Sequence, residues 1–237
     1  MCWAGASSRL HNDYQKLNKI DSSLFSYPNP RSDWIDDEEV FETWLDNLTT
    51  HNIKYLHLLG GETLFIDQFY KICERLIDRG LARKMILGTT TNGTIFNDKL
   101  KDIIPQFKQF HLGISVETFD PINDYIRYPG KIQNIKQNII NFIKLRNENK
   151  NLFVSLRITP SILSVLNMDS LFKFMVEWGV GAESCNILDN PNCLRIEYLT
   201  EDLREKAITR IEDVIVELNI KPENKLINIR GKDTIDQ

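Results

Sequence analysis

The sequence predicts an α/β protein built on a parallel sheet. Short apolar runs with strand-like alternation are followed repeatedly, along most of the 237 residues, by longer runs whose apolar side chains recur at helical spacing. Parallel strands need a long connection to return to the same end of a sheet, so this alternation favours parallel pairing through crossover helices. The apolar content of 42% is enough for one substantial core, and we expect one domain.

Five strands alternate with six helices in this prediction. The strands are expected at residues 53–59, 84–90, 110–117, 152–159 and 183–188. The helices are expected at residues 36–48, 67–80, 97–104, 131–145, 169–179 and 201–218. The opening segment, MCWAGASSRL, is shaped like a strand-to-helix loop whose strand is absent, so we expect a strand to be missing upstream.

Capping and stop residues support the helix ends. Asp36 or Asp37 can cap the first predicted helix and Thr200 the last, because their side-chain oxygens accept from backbone N–H groups that have no partner inside the helix. Gly80 and Gly179 are placed to end two of the other helices.

Charge and hydropathy exclude two classes of partner. The net charge is −4, with 29 basic residues scattered among 33 acidic ones, so the sequence shows no basic surface for nucleic acid. No stretch approaches the roughly 20 consecutive apolar residues that a membrane span needs, and no secretory signal opens the chain. We therefore expect a cytoplasmic protein that binds neither nucleic acid nor membrane.

The ends of the predicted strands carry the candidate site residues, because ligands of parallel α/β proteins bind at the C-terminal ends of the strands. Gly60 and Gly61 remove two side chains where the first predicted strand ends, and Glu62 places a carboxylate there. A carboxylate in that position suits an ammonium group. The alternative is an ordinary turn with a solvated glutamate.

A second polar group follows the third predicted strand. Ser115 and Glu117 lie two residues apart, so their side chains are expected on the same face of the strand, where they can hold a polar small molecule. Arg127 is a candidate clamp for a carboxylate, and Arg157 is a weaker candidate of the same kind. The alternatives are a solvent-exposed pair at a strand end and ordinary surface arginines.

Taken together, these motifs resemble a known superfamily. The order GGET, TTNGT and GISVE on successive strands, with an arginine soon after, resembles the radical S-adenosylmethionine (radical SAM) superfamily. More narrowly, WAGASS, LGGETLF and ISVETFDPINDYIRYPGK look like its twitch-domain-containing members from bacteria and phages. The resemblance covers roughly residues 1–200. It implies a partial parallel (β/α)6-type barrel whose first strand is missing from this chain.

The resemblance also implies an activity. Members of the family bind S-adenosylmethionine (SAM) to the open iron of a [4Fe-4S] cluster, through the amino and carboxylate groups of SAM. One electron, supplied through the cluster by an external donor, cleaves SAM to methionine and a 5′-deoxyadenosyl radical that abstracts hydrogen from a substrate. The protein supplies orientation and excludes water. The substrate expected here is unknown, either a peptide or a small molecule.

Roles in SAM binding carry over by position. Glu62 would accept from the amino group of SAM, and Gly60 and Gly61 would shape the approach. Ser115 and Arg127 would hold the carboxylate of SAM.

Two further positions complete the implied site. Glu117 would face the ribose hydroxyls, and the turn at Asn92 would line the pocket. The family usually shows aspartate at the position of Glu117 and proline at that of Thr63, so the chain departs from the family pattern at both.

The resemblance implies that Cys2 is a cluster ligand. With the Trp-Ala-Gly that follows it, Cys2 matches the last cysteine of the family's C-x3-C-x2-C loop. The other two cysteines would lie upstream of residue 1, so we expect a chain truncated within the motif. It is expected to be inactive as written, because a [4Fe-4S] cluster with one open iron needs three thiolates.

The remaining cysteines are not expected to replace the missing ligands. Cys73 lies in the apolar stripe of a predicted helix, and the spacing of Cys185 and Cys193 matches no metal pattern. The alternative function is a non-catalytic nucleotide-binding module, or a decayed fragment of such an enzyme, in which Cys2 is an ordinary thiol. Residues 1–220 are expected to form the core, and residues 221–237 a polar tail that can begin an accessory region.

Overall fold

The computed structural model describes residue 13 and residues 15–21, 34–186, 188 and 191–220. These residues contain one five-stranded sheet in which every neighbouring pair is parallel. The strands are β1 (Tyr55–Leu58), β2 (Ile86–Thr91), β3 (Gln109–Ser115), β4 (Leu152–Ile158) and β5 (Ala182–Cys185). The helices are α1 (Glu38–Thr50), α2 (Asp67–Asp78), α3 (Lys99–Ile103), α4 (Ile122–Ile126), α5 (Ile132–Glu148), α6 (Asp169–Trp178) and α7 (Glu201–Glu217).

The strands lie side by side in chain order, β1-β2-β3-β4-β5. A doubly wound sheet reverses its order at a switch point, whereas a barrel adds each new strand to the same edge. The observed order is therefore that of a partial barrel, which confirms the predicted fold class. Cys2 and the predicted tail at residues 221–237 lie outside the described residues.

Several element bounds differ from the sequence prediction. Strand β3 ends at Ser115 and not at residue 117, and β5 ends at Cys185 and not at residue 188. Helix α4 was not predicted. The side chain of Asp37 caps α1 by accepting from the N–H groups of residues 39 and 40, as expected. Thr200 does occupy the N-cap position of α7, but its hydroxyl donates to Asp202 and makes no capping bond.

One face of the sheet forms the core. Its side chains are almost fully buried, and they pack in one cluster with the apolar stripes of α1, α2, α5 and α6. These strand residues are Leu87, Phe110, Leu112, Ile114, Leu152, Val154, Leu156 and Ile158. Because strand side chains alternate, the residues between them occupy the opposite face.

We call that opposite face the inner face. Across β1 to β4 it consists of Tyr55, His57, Ile86, Gly88, Thr90, Gln109, His111, Gly113, Ser115, Phe153, Ser155 and Arg157. Most of these side chains are polar and half-buried, in contrast to the apolar face beneath the helices. Among the described residues, no helix is both long enough and apolar enough to cross a bilayer.

Candidate functional site

The loop after β1 places Glu62 against the end of β2. One carboxylate oxygen accepts from the Thr91 hydroxyl at 2.5 Å and from the Leu64 N–H at 3.3 Å, and the other accepts from the Asn92 N–H at 2.7 Å. A carboxylate has about four lone-pair positions, so these contacts leave about one for a further donor. Glu62 is therefore fixed in orientation and still able to accept from a ligand.

Burial raises the pKa of Glu62, and its hydrogen bonds work in the opposite direction. Removal from water disfavours the charged carboxylate, while the donors from Thr91, Asn92 and Leu64 stabilise it. The positive charge of Arg127 adds a smaller effect of the same sign as the donors, which places Arg127 within electrostatic range of Glu62. A cationic ligand group beside Glu62 would favour the ionised form further.

Thr63 holds the loop after β1 in place. Its hydroxyl is buried and donates to the carbonyl oxygens of Gly60, at 3.3 Å, and of Thr90, at 3.1 Å. The side chain thereby ties the glycine turn to the neighbouring strand. Sequence reasoning missed this contact because both acceptors are backbone atoms, which leave no signal in the residue pattern.

The turn after β2 is shaped by Asn92 and Gly93. The Asn92 side-chain oxygen accepts from the N–H and the hydroxyl of Thr94, at 2.8 and 2.6 Å, so it is used within the turn. Gly93 has a φ of 75°, and a Cβ there would lie 3.0 and 3.1 Å from methyl groups of Ile114 and Ile135. Only glycine fits this position. Asn92 therefore contributes its backbone N–H to the site, by way of Glu62.

Glu117 and Arg127 pair with each other. The Arg127 Nε donates to one Glu117 oxygen at 2.6 Å, and its Nη2 donates to the other oxygen, so the pair is bidentate. The Glu117 side chain is 5% exposed and that of Arg127 is 24% exposed. Asn123 in α4 accepts from the Glu117 N–H at 3.4 Å, which links the pair to that helix. The predicted contacts of Glu117 with ribose hydroxyls and of Arg127 with a ligand carboxylate remain predictions.

Ser115 and the glycine pair complete the predicted set. Ser115 is the last residue of β3, it is half-buried, and its hydroxyl has no hydrogen-bond partner among the described residues. Gly60 and Gly61 are exposed, and a Cβ at Gly60 would meet no atom within 4 Å, so open space adjoins the turn. The structure thus joins Glu62 to Asn92 by a hydrogen bond, and Gly60 lies in the same loop as Glu62, where its carbonyl accepts from Thr63. It places Glu117 and Arg127 in a second group, beside the first.

Arg157, the weaker clamp candidate, is paired with another residue. Its Nε and Nη2 donate to the two carboxylate oxygens of Glu183, at 3.2 and 3.1 Å. His57 bonds the Tyr55 hydroxyl at 2.9 Å and lies 3.4 Å from the Thr90 hydroxyl. Both Arg157 and His57 lie on the inner face.

The described residues do not supply a set of cluster ligands. Within them, no three His, Cys, Asp or Glu side chains lie close enough together to hold a metal ion. Cys73 is fully buried in α2, and burial raises the pKa of its thiol, which makes the thiolate unfavourable. Cys185 and Cys193 are exposed free thiols. Cys2 lies outside the described residues.

The Thr91→Val variant is expected to lower the free energy of unfolding at pH 7 by about 1–3 kcal/mol, because it removes the hydroxyl that donates to the half-buried carboxylate of Glu62. Val preserves the shape of the side chain. The loss should shrink as the pH falls, since protonated Glu62 depends less on a donor. Urea unfolding at pH 7 and pH 5 measures both effects.

Thr49→Val is the matched control for this variant. The Thr49 hydroxyl bonds only the carbonyl of Leu45 in its own helix, on the exposed side of α1. We expect a small change that does not vary with pH. Equal, pH-independent losses in the two variants would show that Thr91 does not stabilise the ionised form of Glu62.

Comparisons with known proteins agree with this architecture. The model of the radical SAM superfamily matches residues 2–160, which is more than half of the chain. Among solved structures, Streptococcus suis SuiB bound to S-adenosylmethionine is similar over 82% of this chain and 43% of that chain, with 14% sequence identity and a TM-score of 0.52. SuiB bound to precursor peptide SuiA is similar over 82% of this chain and 42% of that chain, with 14% identity and a TM-score of 0.53.

At this identity the likeness to SuiB shows a shared fold. The chain spans less than half of the length of the two SuiB chains. No curated protein matches it.

Proposed function

This chain belongs to the radical SAM superfamily, and we propose from that premise that it binds SAM across the C-terminal ends of β1, β2 and β3. The observation that supports the proposal most directly is the state of Glu62. Its carboxylate is held at the strand ends by three donors, keeps an acceptor position, and lies beside the open space at Gly60. An ammonium group supplies both the donor and the charge that this site lacks.

The other site residues fit the remaining groups of SAM. Arg127 carries a positive charge within range of Glu62, so one ligand with an ammonium and a carboxylate matches the two side chains. The Ser115 hydroxyl has no partner among the described residues and can donate to the same carboxylate. Because both oxygens of Glu117 contact Arg127, any contact of Glu117 with ribose must be made alongside that pair.

The chemistry we propose is that of the superfamily. When bound, SAM and a [4Fe-4S] cluster would supply a 5′-deoxyadenosyl radical for hydrogen abstraction from an unknown peptide or small-molecule substrate, with one electron from an external donor. The protein would orient SAM through Glu62 and Arg127 and keep water from the reacting atoms. Cys2 is the proposed cluster ligand within this sequence. We further propose that the chain as written assembles less than a full cluster and turns over little SAM.

Binding of SAM to the 237-residue chain tests the proposal. Equilibrium dialysis should show saturable binding of SAM, and binding of 5′-methylthioadenosine should be about tenfold weaker or more, because that compound lacks the ammonium and carboxylate groups. Equal affinities would contradict the assignment of Glu62 and Arg127. After anaerobic treatment with iron and sulfide, iron content and 5′-deoxyadenosine formation report on the cluster. SAM binding without cleavage fits this chain, and substantial cleavage would overturn its proposed inactivity.

A further inference from the structure

The inner face of the sheet is unusually polar for parallel strands. Parallel sheets are normally covered on both faces, and their strands read as near-continuous apolar runs. Here the rows of side chains across β1 to β4 carry hydroxyls, imidazoles and a guanidinium, and most of them are half-buried. The proposed SAM site uses the strand ends and leaves these groups unassigned.

Gly113 makes room for a charged side chain at the centre of this face. A Cβ on Gly113 would lie 2.5 Å from the Nε and 2.9 Å from the Cδ of Arg157. The Arg157 side chain therefore reaches from β4 across the backbone of β3. Any side chain at position 113 would displace the guanidinium. The observed position of Arg157 therefore requires glycine at position 113.

Glu183 holds one edge of that guanidinium. It accepts from Nε at 3.2 Å and from Nη2 at 3.1 Å, and it also accepts from the Ser155 hydroxyl at 3.1 Å. The remaining nitrogen of Arg157, Nη1, has no hydrogen-bond partner among the described residues. The side chain is 17% exposed, and Nη1 is not one of the fully buried atoms without a partner, so it is a charged donor that a ligand can reach.

Polar groups on β1 and β2 face the same space as Arg157, on the same face of the sheet. Thr90 is the register neighbour of Gly113, and adjacent strands lie about 5 Å apart. The Nε2 of His57 lies 3.4 Å from the Thr90 hydroxyl. His57 itself lies across Gly88, where a Cβ would come within 2.6 Å of its Nδ1. Two glycines on adjacent strands thus admit side chains from the two flanking strands, one from each side.

We propose that Arg157 anchors a carboxylate group of the substrate on the inner face, above Gly113. A planar carboxylate matches the donors of a guanidinium. Glu183 occupies the edge formed by Nε and Nη2, so the ligand carboxylate would bind at the end that carries Nη1. Glu183 is a positioning residue, because it fixes the orientation of Arg157. Its negative charge also disfavours ligands with several charges, such as phosphate esters. The Thr90 hydroxyl can bond a hydroxyl or amide elsewhere on the molecule.

This inference rests on the proposed function, since it takes the ligand of the inner face to be the substrate of the same protein. The carboxylate can come from a free small molecule or from a peptide, and both present the same group to Arg157. The two sources are separated by the choice of probe.

The test is a saturation-transfer NMR titration of the whole chain at neutral pH and physiological salt, with saturating SAM present so that its site is filled. The small probes are pyruvate, succinate, L-glutamate and benzoate, each beside its neutral amide. The peptide probe is a short glutamate-containing peptide beside its glutamine counterpart. At least one carboxylate should bind more tightly than its amide by about tenfold.

Variants assign the binding to Arg157. Arg157→Met should weaken carboxylate binding by about tenfold or more, and Arg157→Lys should recover part of it, because Lys keeps the charge and loses the fork. The double variant Arg157→Met/Glu183→Gln removes the charge of Glu183 as well, so that folding is retained if the single variant fails to fold. Arg79→Met is the matched control, since Arg79 pairs with acidic residues of α1 on the outer side of the molecule.

The outcomes separate this inference from the proposed function. Loss of carboxylate binding with unchanged SAM affinity in Arg157→Met supports it. It is overturned if no carboxylate probe binds the unmodified chain better than its amide, or if Arg157→Met and Arg79→Met behave alike. It is also overturned if Arg157→Met weakens SAM binding alone, which would move Arg157 to the SAM site and leave the proposed function standing. A chain that binds a carboxylate through Arg157 and does not bind SAM would refute the proposed function instead.

Discussion

Arg127→Ala is expected to lower the free energy of unfolding by about 3 kcal/mol. The change removes the only charge partner that the described residues show for Glu117, whose side chain is 5% exposed. A carboxylate left buried without its partner keeps the cost of its desolvation. The value is at the lower end for a broken buried pair, because 24% of the Arg127 side chain is exposed. Urea unfolding at neutral pH measures it.

Two further variants test whether the effect comes from the unpaired charge. The double variant Arg127→Ala/Glu117→Gln should recover much of the lost stability, because a neutral amide costs less to bury than an unpaired carboxylate. Arg79→Ala removes an arginine from the exposed ion pairs between α1 and α2, and it should have a much smaller effect. If the double variant is no more stable than Arg127→Ala alone, the unpaired charge is not the cause.

Glu62→Gln is expected to weaken SAM binding by about tenfold or more. The change removes the negative charge that we assign to the SAM ammonium, and a charge-assisted hydrogen bond contributes about 1.5–3 kcal/mol. It also replaces one of the two acceptor oxygens with an NH2 group, which cannot accept, whereas the N–H of Asn92 and the hydroxyl of Thr91 now donate to different oxygens. Equilibrium dialysis measures the affinity, and urea unfolding shows whether the variant is folded.

The pH dependence of SAM binding gives an independent check on Glu62. Burial raises the pKa of this carboxyl, and the proposed contact needs the ionised form. SAM affinity should therefore increase as the pH rises through the raised pKa and then level off, and Glu62→Gln should abolish this increase. The stability of the unliganded chain should change in the opposite sense. The folded state retains a proton that the unfolded state has released, so stability falls as the pH rises through the same interval.

Glu74→Gln is the control for both measurements, because it removes the same charge from an exposed position on α2. Its SAM affinity and pH profile should match those of the unchanged chain. A Glu62→Gln variant that binds SAM as tightly as the Glu74→Gln control would remove Glu62 from the site.

Much of the architecture was predictable because the signals for it are local. Residues such as Phe142 and Ile139 recur at helical spacing, and Leu87 or Leu112 alternate with small or polar neighbours, so the element type follows from the pattern. The strand ends were less predictable. Strand β3 stops at Ser115, two residues before the predicted end, because pairing with β4 and not residue type ends a strand.

The candidate site was predicted in composition and only partly in its contacts. The sequence placed Glu62, Asn92 and Glu117 at strand ends and Arg127 shortly beyond one of them, and the fold brings the four into two neighbouring groups. It did not reveal that Glu117 and Arg127 bond each other, since a bidentate pair depends on the course of the chain through α4 between them. The roles of Thr91 and Thr63 were missed for a similar reason, because each acts through atoms of a different strand or loop.

The sequence by itself determined the parallel α/β class and the residue types available at each strand end, because both depend on periodicity and on position along the chain, and its motifs carried the resemblance to the superfamily. Only the tertiary structure decided which charged groups meet. Glu62 is held by the end of β2, Glu117 holds Arg127, and Arg157 reaches across Gly113 to Glu183. Partners of this kind are set by the register between strands and by the space that a glycine leaves open, and neither is a property of any one segment.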